Sequence, residues 1–182
     1  MRSIQPRKPP SAGTGSSAGR RAYAAGSVDS AASEIPFGVK DNGAADVPPA
    51  GRPLKYLPIV AGGTAFMYHL DSGGRRITNL RLDDTTIVKI FTGGLRYWDD
   101  KEIKNENPGI ALPHREIVPV VRSDGSGTTA QLTTWFDTQP NLRGTWAAYC
   151  QANGRVLDGG RCGTTSFFPV SGNKFLALNG SI

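Results

Sequence analysis

The 182-residue chain lacks the long apolar segments of membrane proteins. No stretch of its sequence approaches the roughly 20 apolar residues that a membrane-spanning helix needs. The first ten residues, MRSIQPRKPP, are basic but contain no apolar region, so they do not predict a secretory signal peptide. We therefore expect the chain as it stands to stay where it is synthesised, unless further sequence precedes it.

Cysteine and histidine are scarce, with two residues of each. Their spacing is not that of a zinc site, and we expect no metal and no cofactor. Cys150 and Cys162 lie 12 positions apart and enclose an Asn-Gly and a Gly-Gly turn sequence. This arrangement favours a disulfide bond over two unrelated thiols.

The basic excess of the chain is modest, with a formal net charge of +6. A basic balance favours an anionic partner, but the sequence has no Lys/Arg tract interleaved with aromatic residues of the kind that nucleic-acid-binding proteins use. It also lacks a Gly-x-x-x-x-Gly-Lys-Ser/Thr loop, which argues against a nucleotide hydrolase of that type. We expect no nucleic-acid partner.

Helical patterns alternate with short apolar runs along the chain, which indicates an α/β architecture. The 23 glycines and 13 prolines imply many turns between these elements. We predict helices over residues 16–25, from residue 85 with Asp84 as its N-cap, over 126–136 and over 143–151, a short helical turn over 98–103, and strands over 28–33, 56–60, 64–68 and 117–121.

The most informative segment is VPVVRSDGSGTT, residues 118–129. An apolar run predicts a strand that ends at Arg122, and a Gly/Ser loop then leads into a predicted helix. Free N–H groups in the first turn of a helix favour an anion, and Gly127 allows the backbone to approach it closely. Ser126 and Thr128 would add hydroxyl donors, and Arg122 a charged, planar donor. The alternative is a plain strand-to-helix connection.

A second Gly/Ser segment, GTGSSAG at residues 13–19, precedes the first predicted helix. It fits parts of the dinucleotide-binding fingerprint and of the nucleophile elbow of serine hydrolases, with Ser17 as the nucleophile. Both motifs require an apolar strand directly before them, whereas basic residues and prolines stand here. We therefore favour a second anion-binding loop, with Ser16 as a donor, that faces the first one.

The hydrolase alternative would also need an acid and a histidine later in the chain. Asp99 or Asp100, followed by His114, occur in the right order. Order alone is weak support, since most histidines are ordinary surface or core residues. We keep a serine hydrolase that uses Ser17 only as a minor alternative.

Glu34 follows the strand predicted over residues 28–33, where side chains in α/β folds line a ligand crevice. A carboxylate beside a bound anion is favourable when the anion carries a proton. Hydrogen phosphate can donate to Glu34 and fully ionised sulfate cannot, so this residue would select phosphate. The alternative is an ordinary charge in solvent.

Taken together, these segments resemble the phosphate-binding protein of bacterial high-affinity phosphate ABC importers. The resemblance extends over most of residues 11–182 and keeps the order of the family's motifs. It rests on GSSAG at 15–19 with SVDSAASEIP at 27–36, on IFTGG at 90–94 with YWDD at 97–100 and NPG at 107–109, and on RSDGSGT at 122–128.

The resemblance implies a two-lobed, periplasmic-binding-protein-like α/β fold that closes on phosphate without catalysis. It implies inorganic phosphate and an ABC permease in the membrane as partners, and an extracytoplasmic location. Cys150 and Cys162 would form the disulfide of some secreted relatives. The implied phosphate-binding residues are Ser16, Glu34, Arg122, Ser126, Gly127 and Thr128, with Asp124 orienting Arg122; Glu34 stands where the family has an aspartate.

The family begins with a strand and an anion loop that precede anything in this sequence, and it continues beyond residue 182. The resemblance therefore implies an incomplete first lobe over residues 1–66 and a second lobe over 67–182 that is clipped at its C-terminus. We expect the first lobe to have exposed apolar edges and low stability. A degenerate fragment of the same fold, with weak or no phosphate binding, is the alternative.

Overall fold

The structure is a computed structural model that describes residues 13–41, 43–170 and 175–177. Helices and short strands both occur along these ranges, although they do not alternate regularly as the sequence pattern predicts. In chain order the elements are α1 Ser16–Ala24, β1 Lys40–Asp41, β2 Ala44–Ala45, β3 Asp71–Ser72, β4 Arg75–Arg76, α2 Asp84–Thr92, α3 Lys101–Glu106, β5 Val120–Arg122, α4 Gly127–Thr138, α5 Arg143–Ala152 and β6 Phe175–Ala177.

The strands pair two by two. β1 with β2 and β3 with β4 form short antiparallel hairpins. β5 and β6 are parallel, with Val120 opposite Phe175, and the connection between them contains α4 and α5. A helical crossover is what parallel strands require. The chain leaves β5 at Arg122 and enters the loop before α4, as the sequence predicts.

The four longer helices lie where the sequence predicts them, because their ends carry local signals. Ser126 is the N-cap of α4, and its hydroxyl accepts from the N–H of Thr129 at 3.2 Å. The N-cap of α2 is Asp83 and not Asp84. Asp83 has an extended backbone and its carboxylate accepts from the N–H of Thr86 at 2.6 Å, so the helix begins one residue earlier than predicted.

The strands predicted over residues 28–33, 56–60 and 64–68 are wrong. These segments have no strand partner within the ranges that the structure describes. Leu57 and Val60 are 81% and 86% exposed, so nothing described here covers their apolar side chains. A single apolar run forms a strand only where a neighbouring strand completes its hydrogen bonds. Glu34 consequently lies in a loop and not at a strand end.

The strand predicted over residues 117–121 is shifted towards its C-terminal end, since β5 covers Val120–Arg122. Pro119 has no N–H group and cannot take part in a strand ladder. Ile117 instead donates its N–H to the carbonyl oxygen of Arg96 at 2.7 Å.

The hydrophobic core consists of two clusters, and α2 contributes to both through Val88 and Ile90. Among the described residues before position 67, Ile35 is the one buried hydrophobic side chain. The buried members of the first cluster are Val88, Val121, Phe136, Leu142, Trp146, Tyr149, Cys150, Cys162 and Phe168, and those of the second are Leu70, Ile77, Ile90, Leu95, Trp98, Ile103 and Ile117.

A disulfide bond joins Cys150 and Cys162, whose Cα atoms are 6.0 Å apart, as the sequence favours. It ties α5 to the loop that follows it, and both sulfurs are buried in the first cluster. Over the part of the chain that the structure describes, no helix has the length and apolar character to cross a membrane.

Candidate functional site

The starts of α1 and α4 meet, although about 110 residues separate them in the sequence. The N–H of Ser17 donates to the carbonyl oxygen of Gly125 at 3.2 Å. Gly15, directly before α1, has a φ of +83°, and a Cβ there would overlap the carboxylate of Asp124 and the Gly125 carbonyl. Both its backbone conformation and the close approach of its neighbours therefore require glycine.

Ser16 and Glu34 lie against the first turn of α4. The Ser16 hydroxyl accepts from the N–H of Glu34 at 3.2 Å, and the Thr128 hydroxyl donates to Glu34 Oε2 at 3.2 Å. A Cβ on Gly127 would overlap both the Ser16 hydroxyl and the Glu34 side chain. The absence of a side chain at Gly127 thus lets these groups reach the helix start.

The first turn of α4 also contributes backbone N–H groups at this place. Within the ranges that the structure describes, the N–H groups of Gly127 and Thr128 donate to no other residue. Such first-turn donors carry part of the positive end of the helix dipole. These donors favour negative charge beside Ser16, Gly127 and Thr128, and the Glu34 carboxylate lies at that position.

Arg122 and Asp124 form a two-point ion pair at the end of β5. Arg122 Nε donates to Asp124 Oδ1 at 2.6 Å and Nη2 to Oδ2 at 2.5 Å. These hydrogen bonds from Arg122 hold the pKa of Asp124 below its usual value. The pair fixes the plane of the guanidinium group. Because Asp124 also lies against Gly15, the pair reaches the start of α1.

Ser126 is 1% exposed, and its hydroxyl accepts a hydrogen bond as the N-cap of α4. Thr128, in contrast, is exposed. A hydroxyl that accepts one hydrogen bond still has its own proton to donate. The Ser126 N–H donates to the carbonyl oxygen of Ser166 at 3.0 Å. Ser126 is thus held in place from two sides.

Two contacts at the site have no counterpart in the sequence prediction. Gln131 Nε2 donates to the carbonyl oxygen of Glu34 at 3.1 Å. Its position three residues after Thr128 on α4, on the same helix face, is a signal that could have pointed to it. Ser17 Oγ lies 2.9 Å from Ser166 Oγ, and no local pattern connects residues 149 positions apart.

The groups of the hydrolase alternative have other partners. Ser17 is 3% exposed and bonded to Ser166. His114 Nδ1 lies 2.9 Å from Asp99 Oδ1, and its ring stacks on Tyr97. In the described part of the chain, no hydrogen bond joins Ser17 to a histidine, and no three His, Cys, Asp or Glu side chains cluster as metal ligands.

Comparison with known protein families places this fold. The model of the PBP superfamily domain matches residues 4–171. The match covers most of the chain, so the chain belongs to the PBP superfamily. The α/β class and the periplasmic-binding-protein-like architecture that the sequence predicts are thereby confirmed.

The chain is also similar to named phosphate-binding proteins. It is 38% identical to the phosphate-binding protein PstS of Methanocaldococcus jannaschii over 127 residues, which cover 68% of this chain and 31% of that protein. It is 34% identical to the phosphate-binding protein PstS 3 of Mycobacterium tuberculosis over 146 residues, which cover 80% of this chain and 37% of that protein. The predicted resemblance to phosphate-binding proteins is confirmed.

A further relative is the phosphate-binding protein PstS 2 of Mycobacterium tuberculosis, 33% identical over 136 residues, which are 72% of this chain and 34% of that protein. The chain thus spans about a third of the length of the curated relatives that it matches.

Proposed function

We propose that this chain binds inorganic phosphate, without catalysis, as the binding component of an ABC import system. The observation that carries the proposal is the meeting of two helix starts, where Ser16, Gly127 and Thr128 come together around Glu34. Two such starts facing each other provide N–H and hydroxyl donors from both sides of a small tetrahedral anion. The phosphate-binding proteins among the relatives support the choice of phosphate.

In this proposal each residue has a distinct role. Ser16 and Thr128 donate through their hydroxyls, and Gly127 through its backbone N–H. The buried Ser126 holds the α4 start and has one hydroxyl proton left for the anion. The guanidinium of Arg122, oriented by Asp124, supplies the positive charge.

Glu34 gives the proposed site its selectivity. Its carboxylate accepts from Thr128 and has capacity to accept from a ligand as well. Hydrogen phosphate offers an O–H for that contact, whereas fully ionised sulfate would meet an uncompensated negative charge. We therefore propose that the site prefers phosphate to sulfate.

The remaining parts of the proposal concern the whole protein. Residues 1–66 and 67–182 would be parts of two lobes that close on the anion, with the ligand between the α1 and α4 starts. The location would be extracytoplasmic, and the partner would be a membrane-embedded ABC permease. These statements rest on the likeness to the phosphate-binding relatives.

Isothermal titration calorimetry of the full chain with inorganic phosphate and with sulfate tests the function. We expect heat with phosphate and none with sulfate, and loss of the phosphate signal in Arg122→Ala. Arg96→Ala is the matched control, because Arg96 is an exposed arginine that pairs with Glu116. Equal heats for both anions would contradict the selectivity, and equal binding by the Arg122→Ala variant would contradict the site.

A second candidate is the same fold with weak or no phosphate binding. The position of Glu34 favours it, because that carboxylate already accepts from Thr128 at the helix start where an anion would lie. In this case the wild type gives no heat with phosphate. Glu34→Ala, which removes the resident carboxylate, would then restore measurable phosphate binding.

A further inference from the structure

Ser166 is a fully buried residue that contacts the starts of both helices. Its hydroxyl lies 2.9 Å from that of Ser17, the second residue of α1. Its carbonyl oxygen accepts from the N–H of Ser126, the N-cap of α4, at 3.0 Å. A single residue of a distant loop therefore connects both helix starts of the proposed phosphate site.

Asp41 holds Ser166 in turn. Asp41 Oδ1 accepts from the Ser166 N–H at 2.7 Å, and Oδ2 accepts from the Ser166 hydroxyl at 2.5 Å. A hydroxyl has one proton, and a carboxylate can only accept. Since the Ser166 proton goes to Asp41, Ser17 must be the donor in its bond with Ser166. The hydrogen-bond chain thus runs from Ser17 through Ser166 to Asp41.

The charge of Asp41 is balanced from the other side. The Asp41 side chain is 10% exposed, and Arg20 Nη2, on α1, lies 3.7 Å from its Oδ2. A buried carboxylate without a cation nearby would be strongly unfavourable. Arg20 Nε also donates to Asp46 at 2.7 Å, so one arginine serves two aspartates.

We propose that Asp41, acting through Ser166, is a positioning residue that fixes the starts of α1 and α4 relative to each other. This inference rests on the proposed phosphate function, because the two starts supply the donors of that site. Binding groups must be held to within about 0.5 Å to work together, and a buried, charge-assisted hydrogen-bond chain provides such restraint. Asp41 itself would not touch the anion.

Asp46 offers a matched control. Both aspartates pair with Arg20, but among the described residues Asp46 has no hydrogen bond to Ser166. Arg20 lies closer to Asp46, at 2.7 Å, than to Asp41, at 3.7 Å, so a role that depended only on these ion pairs would make Asp46→Asn at least as damaging as Asp41→Asn. A positioning role through Ser166 makes Asp41→Asn the more damaging change.

The test measures phosphate binding by calorimetry for the full-length wild type, Asp41→Asn and Asp46→Asn. We expect the Kd for inorganic phosphate to rise about tenfold or more in Asp41→Asn, and to stay within about threefold in Asp46→Asn. Urea unfolding identifies the fraction of each variant that is folded. Equal changes of Kd in the two variants would overturn the proposal.

A double-mutant cycle with Ser166→Ala separates positioning from general destabilisation. If Asp41 acts through Ser166, the double variant binds phosphate no more weakly than Asp41→Asn alone. If the two substitutions instead weaken phosphate binding independently, so that their fold-changes in Kd multiply, the action of Asp41 through Ser166 is contradicted. Should Asp41→Asn fail to fold, Ser166→Ala on its own is expected to raise the Kd, and an unchanged Kd would contradict the proposal.

Amide hydrogen exchange measured without ligand tests the positioning role of Asp41 independently of phosphate binding. We expect the Ser126 N–H to exchange faster in Asp41→Asn and not in Asp46→Asn, because its acceptor on Ser166 is no longer fixed. If the wild type gave no heat with phosphate, the proposed function would fail and this exchange would still decide the positioning role. Unchanged exchange at Ser126 would refute it.

Discussion

Asp124 and Glu34 are the two carboxylates at the candidate site, and their neighbours differ. Asp124 has a charged partner, Arg122, that holds it ionised, whereas Glu34 accepts from the neutral hydroxyl of Thr128. The first carboxylate therefore organises a cation. The second remains an acceptor beside the helix start, which is why the proposed selectivity depends on it.

The pair of Arg122 and Asp124 predicts a pH dependence of stability. Hydrogen bonds from Arg122 lower the pKa of Asp124 in the folded chain below its ordinary value of 3.8. A lowered folded pKa gives stability that is present above the unfolded pKa and is lost as the pH falls through the folded pKa. The free energy of unfolding should therefore decrease on acidification below about pH 4.

Asp124→Asn should make this acid limb shallower and reduce the free energy of unfolding near neutral pH by about 1–3 kcal/mol, because the pair is largely buried and doubly hydrogen-bonded. Urea unfolding at several pH values measures both effects. Asp29→Asn, which changes an exposed carboxylate in the loop after α1, is the control and should leave the acid limb unchanged. An acid limb of equal slope in Asp124→Asn and wild type would be inconsistent with the pairing.

At the scale of elements, the extents of α1 and α4 have one cause and the contact between the two helices has another. Their extents follow from local signals, such as the Ser126 N-cap of α4. Their meeting depends on contacts between distant parts of the chain, such as the bond from Ser17 N–H to the Gly125 carbonyl. Glycine at positions 125 and 127 permits that approach, because a Cβ on Gly125 would overlap Ser17 and one on Gly127 would overlap Ser16.

Gly127→Ala tests this close approach. Alanine is the better helix former, so any loss must come from overlap of the new methyl group with Ser16 and Glu34. We expect the free energy of unfolding to drop by about 1–3 kcal/mol in urea titrations, with weaker phosphate binding.

The matched control is Gly144→Ala in α5, where a new Cβ would meet open space. This change should stabilise the chain by about 0.4–1 kcal/mol. Two alanine substitutions in helices should thus have opposite signs. A stabilising effect of Gly127→Ala would show that the helix starts are not in contact.

At the scale of the whole molecule, the disulfide bond is a covalent restraint on the fold that the sequence predicts. It joins α5 to the following loop inside the first hydrophobic cluster. Replacing Cys150 and Cys162 together by serine should lower the free energy of unfolding by about 2–4 kcal/mol. Urea unfolding of this variant and of the reduced wild type should agree, and an unchanged midpoint would contradict the assignment.

The apolar segment over residues 56–67 is expected to promote association between molecules. Leu57 and Val60 are largely exposed, and large exposed apolar patches promote association. Leu57→Lys with Val60→Lys should reduce light scattering in concentrated solution and leave urea unfolding unchanged. Phe66→Lys should instead destabilise the chain, since Phe66 packs against Phe91 and Trp135.

The sequence was a good guide where structure is local. The helices from Ser16, Arg143 and Gly127 begin within one residue of prediction, and the disulfide is present. The sequence predicted the strands poorly, because the apolar runs near Leu57 and before Tyr68 form no strand among the described residues. A strand depends on a partner elsewhere in the chain, which a local pattern does not contain.

By itself, then, the sequence determined the longer helices and the family, because caps, glycines and motif order are written in adjacent residues. That the loop before α4 binds an anion stays a prediction. The tertiary structure decided which groups share one place. Glu34 lies over Gly127, Asp124 against Gly15, and Ser166 between Ser17 and Ser126. These contacts bridge up to 149 positions of sequence separation, and packing alone brings such residues together.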